Sequence, residues 1–123
     1  MPTILIAEDY DDNRELLRLL LNAAGYDVRE ARNGEECLEL AREQPPDLIM
    51  VDLSMPQLDG WGVFQALKAD PLTAEIPCVA VTAHDGSDQK RVLETGFNAF
   101  VGKPFRTDDL LATVELLMAE AKS

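Results

Sequence analysis

Five residues with chemical potential stand close behind short apolar runs. Glu8 and Asp9 follow Ile4–Ala7, Asp52 follows Leu48–Val51, Thr82 follows Cys78–Val81, and Lys103 comes one glycine after Ala99–Val101. An unbroken apolar run suits a strand of a parallel sheet covered on both faces. The carboxyl ends of such strands gather on one edge, where ligands bind. That edge then collects three carboxylates, a hydroxyl and an ammonium. At ~5 Å and an effective dielectric of ~20, each like-charge pair costs about 3 kcal/mol. The repulsion is relieved by raising one carboxylate's pKa or by binding a hard cation, and an all-oxygen ligand set suits Mg²⁺. A cation and Lys103 would neutralise charge on a transferring phosphoryl group, and the Thr82 hydroxyl would hold one of its oxygens. Asp52 is then a candidate nucleophile that forms an acyl phosphate.

The elements that must position these groups are legible in turn. After the first strand, Asp12 and Glu15 have capping-box spacing, and Leu16, Leu17, Leu20, Leu21 and Ala24 form an apolar stripe that Gly25 ends. Val28–Ala31 is a charged strand, placed at a sheet edge. Asn33 and Glu36 predict a second capping box, Cys37, Leu38 and Ala41 an apolar face, and Pro45-Pro46 a stop. Pro56 ends the central strand. Gly60 opens a third helix carrying Val63, Phe64 and Leu67, closed by Asp70-Pro71. Trp61 and Met55 read as packing at that helix's start. Ser87 is the expected cap of a fourth helix ending at Gly96, with a thin apolar face of Val92 and Leu93. Thr107 is the expected cap of the last helix, with the stripe Leu110, Leu111, Val114, Leu117 and Met118. Five strands alternating with five helices predict an α/β fold with a parallel sheet, right-handed crossovers and helices on both faces.

Composition narrows the function. The 123 residues carry 11 basic and 23 acidic side chains, a net charge of −12. So acidic a surface argues against nucleic acid or an anionic membrane as a direct partner. Cys37 and Cys78 lack metal-site spacing and lie in apolar patterns, as expected of buried free thiols in a reducing compartment. Met1-Pro2-Thr3 leads straight into a strand, and no apolar run approaches a membrane span. A cytoplasmic location is expected.

Taken together, Glu8-Asp9, Asp52 within DLSMPQLDG, Thr82-Ala83, the run ETGFNAFVGKP and Lys103-Pro104 resemble the receiver domains of bacterial two-component response regulators, of the stand-alone chemotaxis-regulator kind. The resemblance spans essentially the whole chain. It implies one receiver domain over residues 1–123 without an effector domain, folded as a flavodoxin-like, doubly wound (βα)5 sheet of strand order 2-1-3-4-5. It implies a signalling protein rather than an enzyme, one that promotes its own aspartyl phosphorylation and dephosphorylation with Mg²⁺. By the same resemblance Asp52 is the phosphoacceptor and Lys103 binds phosphate. Asp9, Asp52 and the Ser54 backbone carbonyl ligate Mg²⁺, and Glu8 acts through water. Thr82 and Phe100 are the switch pair, and the Lys103–Pro104 bond is cis. The donor is a sensor histidine kinase or histidine phosphotransfer protein. Output runs through the fourth helix, fifth strand and fifth helix to a protein target. Two departures stand out. Glu8 replaces the commoner aspartate, and Phe100 replaces tyrosine, so the switch aromatic has no hydroxyl to place in a new hydrogen bond.

Two other functions fit less well. An aspartyl-phosphate hydrolase needs a second acid two residues after the nucleophile, where this chain has Ser54. A flavin or nucleotide site needs a glycine- or hydroxyl-rich turn after the first strand, and Glu8-Asp-Tyr-Asp-Asp12 would repel a phosphate. Ser54 and His84 are expected to flank the site's mouth and to set the lifetime of the acyl phosphate. His84 lacks the helical-hairpin setting of a phosphorelay histidine.

Overall fold

Side chains alternate along a strand, and in Ile4–Ala7, Leu48–Val51 and Cys78–Val81 both sets are apolar, so the sheet needs cover on both faces. The computed structural model describes residues 2–55, 57–82, 89–103 and 105–122. The strands are β1 (Thr3–Ala7), β2 (Asp27–Ala31), β3 (Leu48–Asp52), β4 (Cys78–Thr82) and β5 (Ala99–Gly102). The helices are α1 (Asp11–Ala23), α2 (Gly34–Glu43), α3 (Gly60–Ala69), α4 (Gln89–Thr95) and α5 (Thr107–Lys122). All strand pairs are parallel, in the order β2-β1-β3-β4-β5. Leu5, Ile49, Val51, Cys78 and Ala80 point into one layer with Cys37, Ala41, Val63, Phe64 and Val92. Ile4, Ile6, Leu48, Met50, Val79 and Val81 point into the other, with Leu17, Leu21, Leu110 and Val114. The charged strand β2 lies at the edge, as its composition predicts.

Helix ends follow local chemistry, with corrections. Asn33 Oδ1 accepts from Glu36 N at 2.8 Å, and the Glu36 carboxylate reaches back to Arg32 N at 3.0 Å. Asp59 caps α3 through Gly62 N at 2.9 Å. Gly25 leaves α1 with φ 97°, and Tyr26 N bonds Leu21 O while Gly25 N bonds Asn22 O, a Schellman closure. The Asp12–Glu15 box does not form. Tyr10 is the N-cap, without a side-chain cap bond, and Asp12 already lies in the first turn. Three residues join β1 to α1, so helical geometry begins too early for Asp12 to cap. Thr107 is likewise the first residue of α5, not its cap, and Arg106 O accepts from Leu110 N.

Two apolar stripes are narrower than the spacing predicts. In α1 only Leu17 and Leu21 are buried, and Leu16 is 42% exposed, because α1 packs chiefly over β1 and β2 at the sheet's edge. In α4 only Val92 is buried, while Leu93 is 52% exposed. Aromatic contacts supplement that thin packing. Phe97, just past α4, stacks on Phe64 of α3 at 4.1 Å and meets Trp61 edge-on at 5.9 Å, while Arg91 of α4 covers the Trp61 ring at 4.0 Å. Trp61 thus packs toward α4. Met55 is buried.

Both cysteines are free, buried and in the same layer. Burial, with Cys78 nearby, pushes the Cys37 thiol up to about 12, and burial pushes Cys78 to about 11. Raised thiol pKa values mean almost no thiolate at pH 8. The folded protein should therefore not react with an aromatic disulfide reagent over minutes at pH 8, whereas the urea-unfolded chain should titrate two thiols. A fast stoichiometric reaction in the folded state would contradict this burial.

Candidate functional site

Strand register brings the acids together. β1 and β3 pair up to Ala7↔Val51, so the next positions, Glu8 and Asp52, leave the sheet side by side. β3 and β4 end at Asp52↔Val81, and β4 and β5 at Thr82↔Gly102, which sets Thr82 and Lys103 on the same edge. Lys103 N donates to Thr82 O at 2.9 Å, which continues the ladder into the site. The loop after Asp52 turns tightly. Gly60 packs so close to the strand end that a Cβ there would lie 2.6 Å from the Asp52 carbonyl oxygen and 2.7 Å from Leu53 Cα. Only glycine lets α3 begin this near Asp52.

Lys103 Nζ lies 2.6 Å from Asp52 Oδ2 and 3.0 Å from Glu8 Oε1. Asp52 Oδ1 accepts from Ser54 N at 2.9 Å and Ser54 Oγ at 3.0 Å. Asp52 is 2% exposed and Glu8 1% exposed. Thr82 is also buried, and Asp9 is exposed. Burial foremost, and then the neighbouring Asp52, raises Glu8 to about 7. Burial raises Asp52 too, but hydrogen bonds from Glu8, Lys103 and Ser54 outweigh it and hold Asp52 below the usual carboxylate range. Burial opposes the charge on Lys103, yet its two carboxylate partners hold its pKa above normal. The pKa values of the two neighbouring carboxyls are thus pushed apart, Glu8 upward and Asp52 downward.

Glu8, Asp9 and Asp52 each bring a carboxylate oxygen within 4.8 Å of the others. Glu8 Oε1 is buried and, among the described residues, receives no aligned hydrogen bond, although Lys103 Nζ is near. A buried carboxylate oxygen whose near partner is the Lys103 ammonium, beside two further carboxylates, fits a hard cation.

Asp52, Glu8, Asp9, Ser54, Thr82 and Lys103 therefore share one edge. The Ser54 hydroxyl is bonded to Asp52, an orienting contact that sequence spacing did not reveal. Phe100 is not in this cluster. It sits half-buried two positions before Gly102, opposite Ala80, and lines a cavity of about 350 Å³ with Arg106, Asp109 and Thr113. His84, and with it Pro56, Ala83, Ser87 and Pro104, lies outside the described residues. Arg14 is a site neighbour that spacing did not single out. Its Nη1 donates to Glu8 O at 3.0 Å. Its i,i+3 spacing from Asp11 was the available signal, and that spacing is common on helix surfaces.

The response regulator receiver domain family matches residues 4–115. The chain belongs to that family. It is 37% identical over 120 residues to the polar-differentiation response regulator DivK of Brucella anthropi, covering 97% of this chain and 98% of that one. Among solved structures, the signal receiver domain of a signal transduction histidine kinase from Syntrophus aciditrophicus is 34% identical with a TM-score of 0.88, covering 98% of this chain and 92% of that one. The Vibrio cholerae chemotaxis protein CheY4 is 26% identical with a TM-score of 0.88, covering 95% of this chain and 98% of that one. The five-stranded order seen here is the flavodoxin-like fold of receiver domains. The function of this receiver domain is phosphorylation-dependent signalling in a two-component system. Receiver domains are generally Mg²⁺-dependent, and this one carries a matching acidic cluster. Membership also implies a histidine kinase or phosphotransfer protein as donor, and a downstream target. Among the described residues, no helix is long and apolar enough to cross a membrane.

Proposed function

We propose that this chain acts as a single receiver domain that takes a phosphoryl group from a phosphohistidine onto Asp52. The observation that carries this reading is the buried Asp52 carboxylate held by Lys103 and Ser54 beside a cation-fitting acid cluster. An Asp52 oxygen attacks phosphorus, the P–O bond forms as the P–N bond breaks, and the imidazole leaves with the electron pair and takes a proton from solvent. Ser54 fixes the carboxylate's orientation. Lys103, already at Asp52 Oδ2, is placed to follow the charge onto a phosphoryl oxygen. Glu8, Asp9, Asp52 and the Ser54 carbonyl are the groups that would hold Mg²⁺, which when bound neutralises phosphoryl charge. Thr82, at the end of β4, would hold a phosphoryl oxygen and pass the change to the loop after it and to Phe100. Dephosphorylation by water would be tuned from the mouth by Ser54 and His84. The phosphorylated protein would act on a protein target through α4, β5 and α5, in the cytoplasm and without nucleic acid or membrane contact.

Incubation with a phosphorylated histidine kinase should transfer phosphate to the Asp52 peptide with Mg²⁺ and not with excess EDTA. Labelling at full rate in EDTA, or on another residue, would overturn the reading. Because burial and the neighbouring Asp52 raise Glu8 to about 7 without a cation, and a carboxylate that holds a metal-bound water does so best ionised, Mg²⁺ affinity should fall as pH drops below 7.

A further inference from the structure

We infer that Arg14 is a positioning residue for the acid pair Glu8-Asp9, tying their loop to the edge strand; this rests on the phosphoryl-acceptor reading for its use, but not for its geometry. α1 starts without a side-chain cap, so no cap bond at its N-terminus fixes the short loop from β1. Arg14, one turn into α1, does so instead. Its side chain is only 11% exposed. Nη1 donates to the Glu8 carbonyl at 3.0 Å, Nη2 pairs with Asp11, and Nε lies 3.7 Å from Glu30 Oε1. Glu30 is opposite Ile6 in the β1–β2 register, and Ile6 faces the layer that α1 covers, so Glu30 stands under Arg14. Arg18, one turn further on, reaches the same Glu30 oxygen at 3.7 Å. The planar guanidinium thus spans three anchors: the backbone of a site residue, the first turn of α1, and the side chain of edge-strand Glu30, adding to the backbone bond from Glu8 N to Ala31 O at 3.1 Å that already joins this loop to β2. Lysine has one side-chain nitrogen and cannot span them.

A charge effect and a positioning effect have opposite signs here. Arginine near the cluster repels a cation, so if charge alone mattered, Arg14→Ala would tighten Mg²⁺ binding and Arg14→Lys would leave it unchanged. If Arg14 positions the loop, both variants bind Mg²⁺ about tenfold more weakly, the scale of losing an outer partner of a metal ligand. The test is calorimetric titration of wild type, Arg14→Ala and Arg14→Lys with MgCl2. It is paired with amide hydrogen exchange of residues 9–11 in metal-free protein. Exchange there should quicken about tenfold in both variants while the β3 amides stay as slow as in wild type, which separates loop release from global destabilisation. Unchanged loop exchange, or tighter Mg²⁺ binding by Arg14→Ala, overturns the inference. Absence of Mg²⁺ binding by the wild type would instead overturn the phosphoryl-acceptor reading, and loop exchange would still decide the role of Arg14.

Discussion

Asp52→Asn should abolish phosphorylation by a phosphorylated histidine kinase or by acetyl phosphate, because the amide lacks a nucleophilic oxygen anion. The substitution is close to isosteric. The amide side chain keeps an oxygen able to accept from Ser54 N, where Asp52 Oδ1 now does so at 2.9 Å. The strand end should hold its shape, since β3 is buried along its whole length by residues that do not change. What disappears is one of the two carboxylates around Lys103, leaving Glu8 at 3.0 Å as its partner. The negative charge that helps raise Glu8 vanishes with Asp52, so Glu8 should ionise at lower pH in the variant, although burial, the largest cause, remains. Intact mass after phosphotransfer, with circular dichroism to confirm folding, measures this. Undiminished labelling of a folded Asp52→Asn protein would remove Asp52 as the acceptor.

Lys103→Met is expected to cost about a hundredfold or more in phosphorylation rate, the usual loss when a preorganised group for developing oxyanion charge is removed. Methionine keeps the aliphatic length and deletes the ammonium. Its effect on Mg²⁺ binding should run the other way. Lys103 Nζ sits within 3.0 Å of two carboxylates that the cation also needs. Without that competing charge, Mg²⁺ should bind more tightly. The combination of slower chemistry and tighter metal binding separates Lys103 from a residue that only supports the fold, whose loss would weaken both. Stopped-flow phosphorylation at saturating donor and calorimetric titration give the two numbers. A near-wild-type rate would show that Lys103 does not touch the transferring group.

Local pattern carried much of this molecule. The apolar runs before Glu8, Asp52, Thr82 and Lys103 became strands because burial on both faces requires such runs, and a parallel sheet then collects their carboxyl ends on one edge. The charge in Val28–Ala31 placed that strand at a sheet edge, where β2 lies. Those features depend on residue type and short spacing, which are present in the chain before it folds. Tertiary structure decided the rest. Whether a leucine at the right helical phase is buried depends on which strand lies beneath it. Leu17 and Leu16 are neighbours, yet α1 packs chiefly over β1 and β2 and leaves Leu16 partly in water. How far each carboxyl's pKa moves depends on how water is excluded and where Lys103 and Ser54 point, so equal-looking acids separate, Glu8 raised to about 7 and Asp52 lowered. Arg14 became visible only when register stood Glu30 under it and the turn aimed the Glu8 carbonyl at its guanidinium, since hydrogen bonds between elements are set by register and not by sequence separation.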